Sequence, residues 1–186
     1  NDGQRTPVKT LAAFWALLGK VARPAQADCL AEYLNDPNTF NTPNRVPTCA
    51  RNEPGFTENY WQGAVWIMTN MMVISGLENY GKHELAREIA LNYIGLISTV
   101  YKNTGAIWEN YRALTTHQGN PAVRDFMETG LAPIALIILY GIGIEVNAPE
   151  NEITWRIDNL GRHGIQNLWF GGSDASGNTV SLVAEK

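Results

Sequence analysis

Apolar residues recur at helical spacing over most of the first 145 positions. From Thr6, with Pro7 in the first turn, this spacing predicts a helix that runs to about Ala22. Pro24 begins a second helix, and the Asn-Asp-Pro sequence at 35–37 ends it. The sequence therefore begins with a predicted helical hairpin.

A long loop and two contrasting helices follow. Residues 37–59 contain four prolines and show no period of either 2 or 3.6 residues, which predicts a loop. The segment Gln62–Tyr80 is apolar on nearly every face, so we expect other helices to surround it. Gly81 supplies a C-cap, and Lys82–Tyr101 carries an apolar stripe typical of an external helix.

A second polar loop at 103–120 precedes a further segment, Pro121 to Gly143, that is apolar round most of its surface. Buried, external and buried helices thus alternate. This order is expected of a toroid with inner and outer helices, whereas a four-helix bundle would expose one face of every helix.

The character of the sequence changes after Pro149. Gly-rich turns separate three short segments with strand-like composition. The predicted fold is mainly α, a partial (α/α)6 toroid over residues 1–148, followed by a small β appendage over 149–186. The predicted strands lie at 152–157, 164–170 and 178–184.

The composition narrows the possible partners. Hydrophobic residues make up 45% and charged residues 17%, and the net charge is -4, which is typical of a packed soluble protein. Without a basic patch, nucleic acid and anionic membranes are poor candidates, and a neutral polar ligand fits better. The longest apolar run, Leu131 to Ile144, contains Pro133 and is too short for a membrane span.

The compartment stays open between cytoplasmic, secreted and periplasmic. Cys29 and Cys49 could pair in an oxidising compartment or be free thiols. The N-terminus has no initiator Met and no apolar signal segment, so we expect the chain to begin inside, or after processing of, a longer polypeptide.

Two clusters of aromatic and polar residues each precede a predicted inner helix. In an alternating toroid such segments share one end of the barrel, so we expect the clusters to converge on one pocket. Aromatic faces stack on sugar rings, and amide or carboxylate side chains bind their hydroxyl groups, so the mixture suits carbohydrate. The clusters are Tyr60-Trp61-Gln62-Gly63 and Trp108-Glu109-Asn110-Tyr111.

Other roles are open for these residues. Trp61 and Trp66 could be ordinary core residues, and Glu109 could cap a helix or lie on the surface.

His117 and His163 have no metal-ligand partner at a useful spacing, and HExxH, CxxC, Walker and GxSxG motifs are missing from the sequence. Neither a metal nor a cofactor is predicted.

Three separated motifs resemble glycoside hydrolase family 63 and its trehalase-like relatives, in the order and spacing of that family. The family shows Tyr-Trp-Arg-Gly-x-x-Trp before an inner helix, a Gly-Leu-x-x-Tyr-Gly hairpin, and Glu-Asn-Tyr or Glu-Tyr-Tyr before the last barrel helix. The matching segments here are Tyr60–Asn70, Gly76–Gly81 and Ile107–Tyr111.

The resemblance implies an inverting glycosidase acting on α-linked glucosides or related sugars, with Glu109 as the general base. It also implies that the residues around this base bind the sugar. Position 62 is Gln where the family usually has Arg, which removes a fixed charge. The implied substrate-binding residues are Tyr60, Trp61, Gln62, Gly63, Trp66, Trp108, Asn110 and Tyr111.

The resemblance also implies that the chain is an incomplete catalyst. The family's catalytic acid is an Asp in a segment before the matched stretch, and Asp28, Asp36 and Asp125 do not lie in a matching context. An upstream remainder or another chain should complete the toroid. Two alternatives stay open: a non-catalytic carbohydrate-binding or structural module of the same fold, and a helical protein-interaction domain with an exposed apolar face.

Overall fold

A computed structural model describes residues 6–157, 161–170 and 178–185. The chain forms two compact units, Asn1–Pro133 and Ile134–Lys186. The first unit is helical and carries long irregular segments, and the second is built mainly of β-hairpins. The helices of the first unit are a 3-10 turn at Leu11–Phe14 that continues as α1 (Trp15–Leu18), α2 (Pro24–Asn35), α3 (Ile67–Asn79), α4 (His83–Thr104) and α5 (Met127–Gly130).

The first helix is shorter than predicted. It ends at Leu18 rather than about Ala22, because Gly19 closes the last turn with an N–H bond to the Trp15 carbonyl and Lys20 adopts a left-handed φ of 55°. The second predicted helix is confirmed as α2, where Pro24 occupies the first turn.

The inner helix begins five residues later than predicted, at Ile67 instead of Gln62. Gly63 has a φ of 122°, which no helix accommodates. Val65 exchanges two backbone hydrogen bonds with Tyr111, at 2.8 and 2.9 Å, so its backbone groups are committed to a bridge. The apolar residues of 62–66 are therefore buried, but they belong to a loop and not to the predicted helix.

α3 and α4 form the predicted hairpin, joined through Gly81 at a φ of 68°. One face of α4 is buried along its length, as its apolar stripe predicts. Gly76 lets α3 approach α1 closely, since a Cβ there would lie 2.8 Å from Leu17 Cβ and 2.9 Å from the Leu18 nitrogen. α3 is not enclosed on every face, because Met72 is 39% exposed.

The prediction of one long helix from Pro121 to Gly143 is wrong. Residues before α5 are extended, because Glu109 N–H donates to the Val123 carbonyl and a bridge joins Trp108 to Arg124. Beyond α5 the helix is broken, since Pro133 removes a backbone donor. The remaining helical pieces are α6 (Ala132–Leu136) and a π-helix at Ile137–Ile142.

The long loop between α2 and α3 supplies much of the core of the first unit. Thr39 to Ala50 are buried except for Asn41 and Pro43. Its backbone pairs with distant segments: Leu11 N–H donates to the Thr48 carbonyl, and Thr48 N–H donates to the Ala64 carbonyl. The loop is therefore an ordered part of the interior.

The second unit contains two antiparallel hairpins. β1 (Ile144–Asn147) pairs with β2 (Glu152–Trp155), and β3 (His163–Phe170) pairs with β4 (Asn178–Ala184). The small C-terminal β part is thus confirmed, while β1 was missed because its residues follow directly on the apolar run of the preceding helix. Gly143 makes that change of direction with a φ of 88°.

Within the described residues, no helix is both long and apolar enough to cross a membrane. Cys29 is exposed and Cys49 is buried, and both are free thiols.

Candidate active site

Glu109 lies in a small irregular sheet formed by loop segments and not by regular strands. Its neighbour Tyr111 bridges to Val65 on one side and to Gln118 on the other, and Trp108 bridges to Arg124. Three separate stretches of sequence therefore fix the backbone around the carboxylate.

The Glu109 side chain is held at two points. Its Oε2 accepts the Val123 N–H at 3.1 Å, and its Oε1 accepts the Tyr60 hydroxyl at 3.4 Å. Glu109 is only 7% exposed, and no Lys or Arg in the described part of the chain pairs with it. The carboxylate is thus oriented by neutral donors, with no cationic side chain paired to it in the described residues.

Tyr60, whose hydroxyl bonds to this carboxylate, belongs to a cluster of three aromatic rings. Trp61 stacks on Trp66 with ring centroids 4.0 Å apart and planes 8° apart, and Tyr60 lies edge-on to Trp66 at 4.9 Å. Trp66 is buried, whereas Trp61 is 48% exposed. Because one face of Trp61 is covered by Trp66, its other face is the part of the stack open to a ligand.

The chain reaches this arrangement through left-handed backbone at three positions: Glu58 (φ 59°), Tyr60 (φ 47°) and Gly63 (φ 122°). Gly63 is required sterically as well, since a Cβ there would lie 2.7 Å from the Phe56 ring. Left-handed residues other than Gly cost conformational energy, so the surrounding contacts must hold Tyr60 in place. The Trp66 indole N–H contributes by donating to the Tyr60 carbonyl at 3.2 Å.

The structure brings the two predicted clusters together through Tyr60 and Glu109. Gln62 is exposed, and its backbone bonds to Thr57 and Asn59, whereas its side chain forms no hydrogen bond within the described residues. Trp108 turns its indole N–H to the Thr104 hydroxyl at 3.0 Å, at the end of α4.

Asn110 and Tyr111 lie in the interior, 0% and 1% exposed. The Tyr111 hydroxyl accepts the Trp108 N–H at 3.0 Å, and burial raises the pKa of this phenol. Asn110 donates its amide to the Pro121 carbonyl at 3.0 Å. These contacts shape the loop that carries Glu109.

Sequence reasoning did not find Val123, whose N–H and carbonyl both bond to Glu109. Almost every residue type has a backbone N–H and carbonyl, so the identity of residue 123 gives no sign of this contact. Only the pairing of the two segments in the structure shows it. In the described residues, no group of three or more His, Cys, Asp or Glu side chains is placed to hold a metal ion.

The profile of a known family, the mannosylglycerate hydrolase MGH1-like glycoside hydrolase domain, matches residues 1–123. This chain belongs to that family. The match confirms the resemblance to family 63 glycosidases and places Tyr60 and Glu109 within the matched region. Relatives in the family are glycoside hydrolases.

Two relatives illustrate the match. An uncharacterised protein of Borreliella burgdorferi is 33% identical over 178 residues, which is 87% of this chain and 37% of that protein. Mannosylglycerate hydrolase MGH1 of Selaginella moellendorffii is 35% identical over 117 residues, or 61% of this chain and 22% of that protein. The chain thus spans well under half the length of these relatives.

Solved structures agree on the fold. The family 63 mannosylglycerate hydrolase of Thermus thermophilus, in complex with glucose, superposes with a TM-score of 0.61 and 27% identity over 72% of this chain and 30% of that one. The neutral trehalase Nth1 of Saccharomyces cerevisiae has a TM-score of 0.59 and 17% identity, over 74% of this chain and 24% of that one. The trehalase-like part of the resemblance is thereby confirmed at the level of fold.

Proposed function

We propose that this chain is the C-terminal part of an inverting glycoside hydrolase with a partial (α/α)6 toroid, and that Glu109 is its general base. The observation that carries this proposal is the Glu109 carboxylate itself. It is almost buried and is fixed by Val123 N–H and the Tyr60 hydroxyl, and the Tyr60 ring lies edge-on to the exposed Trp61 with ring centroids 6.0 Å apart. A carboxylate that bonds only to neutral donors can accept a proton from water.

In this proposal Glu109 removes a proton from a water molecule that attacks the anomeric carbon. A carboxylic acid on the other side of the sugar protonates the leaving oxygen, so that the two carboxyl groups stand roughly 6.5 to 9.5 Å apart. We assign no acid within this chain. The acid would come from an upstream segment or another chain.

The open face of Trp61 is the proposed sugar platform. Its position over Trp66 fixes the plane of the indole, so little side-chain freedom is lost when a pyranose ring stacks on it. Tyr60 lies edge-on to Trp61 with ring centroids 6.0 Å apart and links it to Glu109 through its hydroxyl. The exposed Gln62 follows Trp61 in the sequence. α-Linked glucosides or related sugars are the proposed substrates, and the name of the Selaginella relative adds a mannoside of glycerate as a candidate.

The upstream remainder, or another chain, is also the proposed cover for apolar surface of the first unit. Trp15 is 49%, Leu18 39% and Met72 39% exposed. α1 and α3 carry these residues and contact each other, and the proposal is that an additional helix buries their exposed side chains.

A non-catalytic carbohydrate-binding or structural module is the second candidate. Gln62 favours it, because this exposed side chain lies beside the aromatic stack and brings no charge to a position where the family usually has Arg. Such a module would keep the Trp61 platform while Glu109 served only to hold Tyr60 and Val123.

The test is to measure hydrolysis by the full-length protein and by its Glu109→Gln variant. We expect kcat to fall about a thousandfold, because Gln keeps the size of the side chain and one acceptor oxygen but cannot accept a proton. Glu58→Gln is the matched control, since Glu58 Oε1 also accepts a backbone N–H, from Leu114 at 2.7 Å. This substitution should leave kcat nearly unchanged.

Equal rates for wild type and Glu109→Gln would remove Glu109 from the mechanism and favour the non-catalytic module. Proton NMR of the first sugar released tests the stereochemistry separately. A product of inverted anomeric configuration is expected, and retention would contradict the proposed water attack.

A further inference from the structure

A cavity lined by polar residues lies on the hairpin that follows Glu109. It has a volume of about 490 Å³, and none of the residues that line it contacts the Glu109 carboxylate. We call it the hairpin cavity. Its lining residues are Arg112, Thr115, His117, Gln118, Gly119 and Asn120.

The hairpin geometry brings its two basic side chains together. Arg112 N–H donates to the His117 carbonyl at 3.0 Å, which places the two residues opposite each other on one face of the hairpin. Tyr111 and Gln118 pair next to them, and Gly119 N–H donates to the Asn110 carbonyl at 2.8 Å. Arg112 and His117 therefore face the cavity from both arms.

The walls of the cavity are preorganised by backbone bonds. Asn44 donates its side-chain amide to the carbonyls of Arg112 and Thr115, at 2.7 and 2.9 Å, and Glu58 accepts the Leu114 N–H. Gly119 is required, since a Cβ there would lie 1.6 Å from Asn110 Oδ1. The turn is thus built by residues on two other segments.

The side chains that line the cavity are, by contrast, unused. Throughout the described part of the chain, none of the five polar side chains of the lining forms a hydrogen bond or ion pair. The lining contains no Asp or Glu, although the whole chain carries a net charge of -4. A half-buried guanidinium without a counterion, surrounded by neutral donors, matches a carboxylate or phosphate.

We propose that the hairpin cavity binds a small anion through Arg112, with His117, Thr115, Gln118 and Asn120 as further polar contacts. The ligand is a carboxylate or phosphate group, and the site is separate from the Glu109 carboxylate. This inference goes beyond the proposed hydrolase activity and does not depend on it.

Calorimetric titration of the full-length protein with inorganic phosphate and, separately, with acetate tests the site, with sodium chloride at matched ionic strength as the blank. We expect the wild type to bind at least one anion, and which one binds identifies the ligand class. Arg112→Gln should bind at least tenfold more weakly, and Arg112→Lys should keep part of the affinity because it keeps the charge.

Arg124→Gln is the matched control, because Arg124 is exposed and pairs with Asp125 outside the cavity. It should bind like the wild type, and so should Glu109→Gln. Wild-type protein that binds neither anion, an unchanged affinity in Arg112→Gln, or an equal loss in Arg124→Gln would each overturn the proposal. Melting curves of both Arg112 variants show whether a loss of binding comes from unfolding, and binding retained by a folded Arg112→Lys then supports the site.

Discussion

The loop at 39–50 and the hairpin of β3 and β4 show opposite relations between regular structure and burial. The loop has no helix or strand, yet nearly all of its residues are buried. β3 and β4 form an antiparallel ladder with one register shift between Ile165 and Leu168, yet none of their described side chains is buried. Regular hydrogen bonding and membership of the core are thus independent properties in this chain.

The two regions satisfy their backbones by different means. In β3 and β4 the ladder pairs the N–H and carbonyl groups on either side of its register shift, where the Asn167 N–H donates to the Ser181 hydroxyl instead. In the loop, distant backbone segments do so together with side chains from elsewhere: Thr48 N–H donates to the Ala64 carbonyl at 3.0 Å, Asn92 Oδ1 accepts the Arg45 N–H at 2.9 Å, and Asn70 donates to the Val46 carbonyl at 3.2 Å. The loop should therefore be sensitive to single side chains, whereas the hairpin should tolerate their loss.

The largest effect is expected at Arg45, whose side chain is only 3% exposed. It donates to the Leu34 carbonyl and to Asn35 Oδ1 at the end of α2, and it pairs with Glu88. Burial lowers the pKa of Arg45, and Glu88 opposes that shift. Arg45→Ala should lower the free energy of unfolding by about 3 kcal/mol, since a cavity and an unpaired carbonyl remain.

Urea denaturation measures this change in the free energy of unfolding. Two further variants separate the contribution of packing from that of the ion pair. Arg45→Met restores much of the packing, so about half of the loss should return. Glu88→Gln should cost no more than about 0.5 kcal/mol, because the Glu88 side chain is 65% exposed. A larger loss in Glu88→Gln than in Arg45→Ala would show that the ion pair, and not the contacts with α2, holds the loop.

A smaller effect is expected at Asn44, which is 5% exposed and joins the loop to the turn at 112–117. Asn44→Ala should cost about 2 kcal/mol, because two partly buried carbonyls lose their donor. Ser181→Ala in β4 is the comparison. The exposed Ser181 hydroxyl forms one hydrogen bond with the backbone, which it accepts from Asn167 N–H at 3.1 Å. We expect that change to cost about 0.5 kcal/mol or less.

Hydrogen exchange followed by mass spectrometry distinguishes these two substitutions. Asn44→Ala should increase exchange in the peptides that cover 39–50 and 105–119, while Ser181→Ala should alter exchange only near β3 and β4. Equal losses from both substitutions would remove the distinction between a region held by side chains and one held by its ladder.

The same contrast explains what the sequence could predict. Apolar periodicity located α2, α3 and α4, and the motifs identified the family. The position of the two clusters before predicted inner helices also predicted that Tyr60 and Glu109 lie close together. The helix predicted at 121–143 failed because the Val123 backbone pairs with Glu109 across fourteen residues, and no local pattern records such a pairing. The buried loop was likewise visible only as a lack of periodicity, since its partners are distant amides such as Asn70 and Asn92.

The smallest effect is expected where the loop segment that carries Glu109 meets α4. Tyr93 packs edge-on against Tyr111 with ring centroids 5.8 Å apart, and its hydroxyl is buried without a hydrogen-bond partner in the described structure. Removing that hydroxyl should stabilise the protein, so Tyr93→Phe should raise the free energy of unfolding by about 1 kcal/mol at neutral pH.

The pH dependence gives the same substitution a second test. Burial raises the pKa of Tyr93 well above its ordinary value of 10.0, so the folded state holds this proton more tightly than the unfolded state. Ionisation of Tyr93 therefore leaves the free energy of unfolding unchanged below pH 10. As the pH rises further it lowers this free energy, by about 1.4 kcal/mol per pH unit at most. Tyr93→Phe should show a shallower alkaline loss in denaturation curves, whereas Tyr101→Phe, at a residue 52% exposed, should follow the wild type. If Tyr93→Phe lost stability as steeply as the wild type, the alkaline sensitivity would lie elsewhere, and Tyr111, whose pKa burial also raises, would be the next residue to replace.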